Sequence, residues 1–391
     1  MKSVIGLVDC DSFFVSCEQS VDKKLKMKPV CVLSNRDGCV VARSKEAKKL
    51  GITMGMPYFM AKREFPQAIY LSGNHALYNE ISHKVMDILK EFSPVVDVYS
   101  VDEAFVDFSG LERLYKTNVI EIAKFVRKEI SNRLDIPVSI GLSSSKTLAK
   151  LASDKAKAIE GGIHFIGEAN LTFELRNTPV EDIWGIGRRL ALVMKKNGIL
   201  TAEEFVSQSD EFLDKLLGIR GLEMKHELLG ENVLMLSNVS EAPKSIQQTS
   251  AMVKFTSDKD FLKSNLNYHI HRACVRLRRH NLKASILGVM LRTKDFRVFT
   301  QSYISEKPLD FELEISKIIF EIFEKIYSPD IVYRSTGVFF DKLSSTCALQ
   351  TSLFSDNTFV IKTENLTKCL DKLEGKYGKD IVQVGFLKSE L

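Results

Sequence analysis

A chain of 391 residues, 45% hydrophobic and 27% charged, has enough apolar material for more than one core, which excludes a disordered or fibrous protein. Its longest apolar runs, such as Val4 to Val8 and Ile286 to Leu291, fall far short of the ~20 residues that cross a bilayer, and no basic stretch leads into an apolar signal core. A cytoplasmic protein without membrane association is therefore expected. Net charge is only +5, yet the segment from Lys263 to Arg297 sets nine lysines and arginines against Asp295 alone, the pattern of a surface for an anionic partner. Seven cysteines, scattered and without a Cys-x-x-Cys pair, read as reduced core thiols rather than disulfides or zinc ligands.

Along the chain, the run Val4 to Val8 predicts a buried strand that ends against Asp9 and Asp11, with Phe13 and Phe14 directly after. Val30 to Leu33 predicts a second strand. Apolar residues recur at helical spacing from Asn79 to Phe92, Val95 to Phe108 reads as two strands around Ser-Val-Asp-Glu, and Val119 to Leu134 as a helix. A strand over Pro137 to Leu142 and a helix over Lys146 to Lys157 complete a half expected to be α+β on an antiparallel sheet. From Pro179 onward, small helices joined by glycine turns predict a separate all-α unit, and residues 231–250 are polar enough for a linker. Strands at Ser285 to Thr293 and Tyr333 to Leu343, with helices at Phe261 to His280 and Phe311 to Tyr327, predict a smaller α/β unit.

Four constellations carry chemistry. A strand ending in Asp9 and a turn offering Asp102 and Glu103 could gather three carboxylates; buried together they repel, and Mg²⁺ is the cation that hard oxygen donors of this kind hold. Two such ions about 3.5–4 Å apart stabilise the attacking and leaving oxygens of a phosphoryl displacement. The stretch WGIGRR resembles a helix-hairpin-helix turn, in which Gly185 and Gly187 bring backbone N–H groups to a phosphate beside Arg188 and Arg189. A basic helix places Arg272, Arg276 and Arg279 on one face, a solvated surface unless nucleic acid covers it; His269, His271 and His280 read as surface residues. Two lysine clusters, Lys45, Lys48 and Lys49 with Lys146, Lys150 and Lys157, flank the carboxylates and fit a triphosphate.

Five stretches, LVDCDSFFVSCE, LSNRDGCVVARSKEAKKLGITMGMP, YSVDEAFVDFSG, SSSKTLAKLASDKAK and WGIGRR, in this order resemble the Y-family translesion DNA polymerases, and LSNRDGCVVAR and DIWGIGRR the UmuC branch, the catalytic subunit of bacterial DNA polymerase V. The resemblance runs from about residue 4 to about 345. It implies an α+β, multidomain right-hand polymerase: a palm at 1–12 and 76–166, fingers at 13–75, a thumb with the helix-hairpin-helix at 167–238, a DNA-binding little finger at 245–345 and a tail at 346–391. It implies error-prone addition of dNTPs to a primer opposite damaged template, in DNA repair and the SOS response. Asp9, Asp102 and Glu103 fall on the family's catalytic carboxylates, which with the carbonyl of Cys10 would hold two Mg²⁺. Phe14 falls on the steric gate, and Phe13, Lys45, Lys48 and Lys157 stand at the dNTP. Gln350, Leu353 and Phe354 look like a bacterial sliding-clamp peptide, an extended segment that fills a pocket with its apolar pair. Implied partners are primer-template DNA, dNTPs and the clamp, with UmuD-like subunits and a recombinase filament, and a nucleoid location on DNA.

Two positions depart from parts of the family: Phe14 stands where UmuC proteins often carry Tyr, and Lys45 where many relatives outside the UmuC branch have Tyr. Asp11 is expected to cap the helix that begins near Phe13. Two other readings compete. An apolar strand followed by Asp-x-Asp also suits a haloacid-dehalogenase-type phosphatase with Asp9 as nucleophile and Asp11 as acid, although the third acidic motif it wants is not found downstream. A non-catalytic helix-hairpin-helix DNA-binding protein would use the hairpin and the basic unit alone.

Overall fold

Six consecutive residues, Ile5–Cys10, are buried and form the central strand β1 in the computed structural model, which describes residues 3–34, 38–238 and 242–345 and seven positions between Leu366 and Tyr377. An alternating strand is buried throughout only when both faces of its sheet are covered. The remaining strands of the first half are β2 (Val30–Leu33), β3 (Val40–Arg43), β4 (Ile69–Ser72), β5 (Val96–Val98), β6 (Glu103–Asp107), β7 (Val138–Ser143) and β8 (Ile163–Phe165). The main sheet runs β5-β6-β1-β7-β8, antiparallel except for the β7–β8 edge, which is parallel and corrects the fully antiparallel expectation.

The helices of this half are α1 (Phe13–Val21), α2 (Lys45–Lys49), α3 (Tyr58–Glu64), α4 (His75–Phe92), α5 (Leu111–Tyr115), α6 (Val119–Leu134) and α7 (Lys146–Ala156). Val8, Cys10, Val106 and Ile140 share one sheet face and one core with apolar residues of α4 and α6. The opposite face brings Ile5, Leu7 and Phe105 against Ala149 of α7. Close approach explains Gly141: a Cβ there would stand 1.9 Å from the Ser153 nitrogen, so only glycine lets α7 lie on β7. A second sheet, β3-β2-β4, closes a small core with Ala47 of α2 and Ala61 of α3.

Five helices follow: α8 (Leu171–Arg176), α9 (Arg188–Lys196), α10 (Ala202–Val206), α11 (Asp210–Leu217) and α12 (Ile219–Leu228), around a core that includes Val180, Ile186, Met194, Phe205 and Leu213. The chain then forms two compact units, divided between Ser240 and Glu241. Residues 231–238, expected as linker, are instead fastened to the first unit: Asn238 accepts from the Val96 amide at 2.8 Å, and Lys146 donates to the Met235 carbonyl at 2.9 Å.

In the second unit β9 (Ile246–Thr256), β10 (Leu282–Thr293), β11 (Val298–Leu309) and β12 (Tyr333–Ser345) form an antiparallel sheet in the order β11-β10-β12-β9. Helices α13 (Lys259–Arg279) and α14 (Glu312–Ile326) close its core through Leu266, Ile270, Cys274, Ile319 and Phe323. β9 begins at Ile246, inside the stretch expected as linker. Two of the histidines expected at the surface are buried: His271 beside Glu312, and His269 with Nε2 3.3 Å from Ser250 Oγ and no hydrogen-bond partner at Nδ1. Burial pushes the His269 imidazole down from 6.5 to about 4. The unfolded chain therefore takes up this proton first, and stability should fall as pH drops from about 6.5 to about 4, by ~3 kcal/mol in all. Denaturant titrations at several pH values should show this acid-side loss in the native chain and a flatter profile in His269→Leu. Parallel profiles would refute it.

Candidate active site

Strand pairing, not sequence proximity, assembles the carboxylates. Asp9 at the end of β1 lies opposite Glu103, the first residue of β6, and the Cys10 amide donates to the Asp102 carbonyl at 2.9 Å. Asp9 shares a sheet face with Ile5 and Leu7, the face covered by α7, and is only 5% exposed. Two lysines on one face, Lys150 within α7 and Lys157 at its C-terminal cap, meet them: Lys157 Nζ lies 2.7 Å from Asp9 and Lys150 Nζ 2.8 Å from Glu103. Burial and then the neighbouring Glu103 push the Asp9 carboxyl up to about 7 against the pull of Lys157. Burial also works to raise Glu103, but hydrogen bonds with Asp9 and Lys150 outweigh it and hold this group below its ordinary value. Burial, mutual repulsion and separate lysine partners thus push the two carboxyls apart in proton affinity.

Asp102 stands next to this pair but is turned to Ser100, whose hydroxyl donates to Oδ1 at 2.6 Å. Among the described residues no three Asp, Glu, His or Cys side chains converge as they stand on one ion position. The donor chemistry still fits Mg²⁺: a buried pair of hard oxygens, an excess of negative charge that two ammonium groups now compensate, and a third carboxylate beside them. A bound ion would take over contacts that Ser100 and the lysines make here.

The aromatics following Asp11 divide their tasks. Phe13 is buried in the core, so its ring is closed to a nucleotide and only its backbone is left for one. Phe14 is half-buried and stacks on Tyr78 with ring centroids 4.5 Å apart, His75 standing edge-on at 6.0 Å. Tyr78 is fixed by its hydroxyl, which donates to Glu18 at 2.7 Å. Asp11 does not cap α1; its carboxylate accepts from Ser139 Oγ at 2.8 Å, and the Ser12 cap position makes no side-chain bond. Lys45, Lys48 and Lys49 are exposed on α2, whereas Lys146 is buried in an ion pair with Asp97 at 2.6 Å and drops out of the phosphate cluster.

At the hairpin turn Ile186 is buried while Gly185, Gly187, Arg188 and Arg189 are exposed around it. Gly185 has φ +100°, a conformation that favours glycine, and Gly187 starts α9 with no side chain over the first amides. Trp184 packs on Tyr99 and Phe105 and donates to the Tyr99 hydroxyl at 3.2 Å, tying the hairpin to β6. In the second unit Arg276 and Arg279 are exposed on α13 and Arg272 is half-buried. Gln350, Leu353 and Phe354 lie outside the described residues. Sequence reasoning missed Tyr78 as the support of Phe14 and Lys150 as the partner of Glu103. The seven-residue spacing of Lys150 and Lys157, two helical turns, was the signal for the latter.

This is the fold of the Y-family DNA polymerases: a solved chimera of such enzymes superposes with a TM-score of 0.74 at 24% identity, covering 88% of this chain and all of that one, and DinB from Sulfolobus solfataricus gives 0.57 at 24%, covering 86% and 98%. The model of the impB/mucB/samB family matches residues 8–154, and that of its C-terminal domain residues 243–353. Protein UmuC of Salmonella typhimurium strain LT2 is 30% identical over 96% of this chain and 92% of its own length, and DNA polymerase IV of Dehalococcoides mccartyi strain CBDB1 is 33% identical over 97% and 96%. The chain belongs to the impB/mucB/samB family of UmuC-like, Y-family translesion DNA polymerases. That membership leaves the phosphatase and non-catalytic readings without support.

Proposed function

We propose that this chain extends a primer 3′ end opposite damaged template with Asp9, Asp102 and Glu103 as its catalytic and metal-holding groups. The observation that carries the assignment is the register pairing of Asp9 with Glu103 under the lysine-bearing α7, with Asp102 joined to Cys10 through the backbone. A divalent ion belongs to this chemistry, and two Mg²⁺ held by the three carboxylates and the Cys10 carbonyl are the form proposed. Bound there, they supply Lewis-acid stabilisation to the attacking and leaving oxygens. Lys157, next to Asp9, and the exposed Lys45 and Lys48 neutralise the triphosphate. The backbone of Phe13 borders the same pocket.

The first unit is divided into palm (1–12 and 76–166), fingers (13–75) and thumb (167–238), the second holds the little finger (245–345), and 346–391 forms a tail. Gly185, Gly187, Arg188 and Arg189 grip one part of the duplex by its phosphates, and Arg272, Arg276 and Arg279 add charge to the little finger. The peptide around Gln350, Leu353 and Phe354 docks a sliding clamp, with UmuD-like subunits and a recombinase filament as further partners. Among the described residues no helix is long and apolar enough to cross a membrane, which suits work in the cytoplasm on nucleoid DNA. Extension of a primer past an abasic site, with and without those partners, tests the reading; an enzyme that stops there under every condition would not be a bypass polymerase.

Phe14 is the proposed sugar gate, its ring plane set by Tyr78 beneath it. Phe14→Ala should raise ribonucleotide incorporation relative to the deoxyribonucleotide by about 10- to 100-fold, the scale on which a pocket wall discriminates small groups. Single-turnover incorporation of the two nucleotides measures the ratio. An unchanged ratio would make the ring a packing residue only.

A further inference from the structure

At one end of the second unit's sheet, the hairpin between β10 and β11 lifts an aromatic ring out of the surface. Phe296 is 62% exposed, and its backbone has φ +68°, where hairpins of this kind usually carry Gly or Asn and a bulky side chain is disfavoured. The turn is held firmly: the Phe296 amide donates to the Thr293 carbonyl at 3.0 Å, Lys294 donates to the Val332 carbonyl at 3.0 Å, and Arg297 binds Asp295 at 2.6 Å. Above the ring lies the guanidinium of Arg334, 3.9 Å from its centroid, with Phe255, 43% exposed, 5.3 Å away on the same guanidinium. Lys294, Asp295, Arg297, Asp330, Ile331 and Val332 line a cavity of about 440 Å³ beside the hairpin.

We propose that Phe296, Arg334 and Phe255 form a stacking platform for an unpaired base of the template strand, an inference that rests on the polymerase reading and deepens it. A core contact does not explain an exposed ring placed at a strained backbone position. An aromatic face combined with a guanidinium is the surface that single-stranded nucleic acid uses, because every base presents a flat π face whatever its sequence. Positive charge at the tip suits a strand whose phosphates follow the base: Lys294, Arg297 and Arg334 outnumber Asp330 and the Asp295 carboxylate, which Arg297 and Thr293 already bind. A duplex offers no such face along its length, so the platform favours the single-stranded overhang ahead of the primer.

The test uses the full chain with Phe296→Gly and Phe296→Trp. Glycine removes the ring and suits the positive φ, so loss of folding is not the expected consequence. Affinity is measured for a primer-template carrying a several-nucleotide template overhang and for the blunt duplex of the same length, with 2-aminopurine at each overhang position in turn. Expected for Phe296→Gly is a dissociation constant about five- to thirtyfold higher on the overhang substrate, a change of less than about twofold on the blunt duplex, and loss of the 2-aminopurine quench. Phe296→Trp should bind the overhang as the native chain does. Equal losses on both substrates, or no loss on either, overturn the platform; the second is also what a ring reserved for a protein partner would give. If the native chain neither binds nor extends primer-template DNA, the polymerase reading falls and this inference with it. Native extension with an unaltered Phe296→Gly overhang affinity removes this inference alone.

Discussion

Asp102→Ala combined with Glu103→Ala should lower primer extension with Mg²⁺ by about 10³-fold or more while leaving the affinity for primer-template DNA within about threefold. The magnitude follows from the chemistry: the ions contribute several kcal/mol of charge stabilisation, and each ~1.4 kcal/mol is a factor of ten in rate. Folding should survive the change. The turn that carries both residues is held by Ser100, whose hydroxyl accepts from the amides of Asp102 and Glu103 at 3.3 and 3.1 Å, and those bonds do not need the carboxylates. Removing Glu103 also relieves repulsion against Asp9, which offsets the stranded charge of Lys150. Gel-based extension alongside fluorescence-anisotropy binding separates the two effects. Extension at native rates would falsify the assignment.

Glu227→Ala is expected to cost ~3–5 kcal/mol of stability, read by urea unfolding, although Glu227 lies in the helical unit away from the carboxylates. Its side chain is wholly buried, and its two oxygens accept from three backbone amides: Thr147 at 2.9 Å, and Val233 and Leu234 at 2.8 Å each. Its own carbonyl accepts from Ser145 Oγ at 2.6 Å. Alanine would strand the buried Thr147 amide in the interior and take the acceptor from the part-buried amides of Val233 and Leu234. Glutamine keeps the shape but turns one acceptor into a donor, so Glu227→Gln should fall between the two, at ~1–2 kcal/mol. Because Thr147 lies in the first turn of α7, the loss should loosen Lys150 and Lys157 as well. A Glu227→Ala protein within ~0.5 kcal/mol of the native one would mean that water satisfies the amides instead.

The local elements were largely readable from the chain. The strand around Val8, the helix over Val119–Leu134 and the small helices after Pro179 each announce themselves through apolar spacing or glycine turns. What escaped depends on contacts far apart in sequence. β9 and β11 went unseen because an edge strand buries little, and in β11 most positions are exposed, so no alternation marks it. Glu227 sits in KHELLGEN, which reads as an ordinary solvated helix end; nothing local reveals an amide 80 residues away. The same limit misassigned Asp11, whose hydrogen bond crosses to Ser139 on β7, and Lys146, whose partner Asp97 lies on β5. Sheet faces decide these cases. Counting outward from Asp9 in steps of two gives Leu7 and Ile5, which turn toward α7, and that parity brings Asp9 to Lys157.

A carboxyl group stands next to the last residue of a strand buried along its whole length, and this sets two selective pressures against each other. Without an ion, Asp9 is desolvated and crowded by Glu103, so an uncharged residue of the same shape would relax the resting protein. Screening random variants for heat resistance alone should therefore enrich Asp9→Asn, whereas a screen for growth on damaged DNA should discard it. Laboratory evolution for durability would thus erase a residue that the proposed reaction needs.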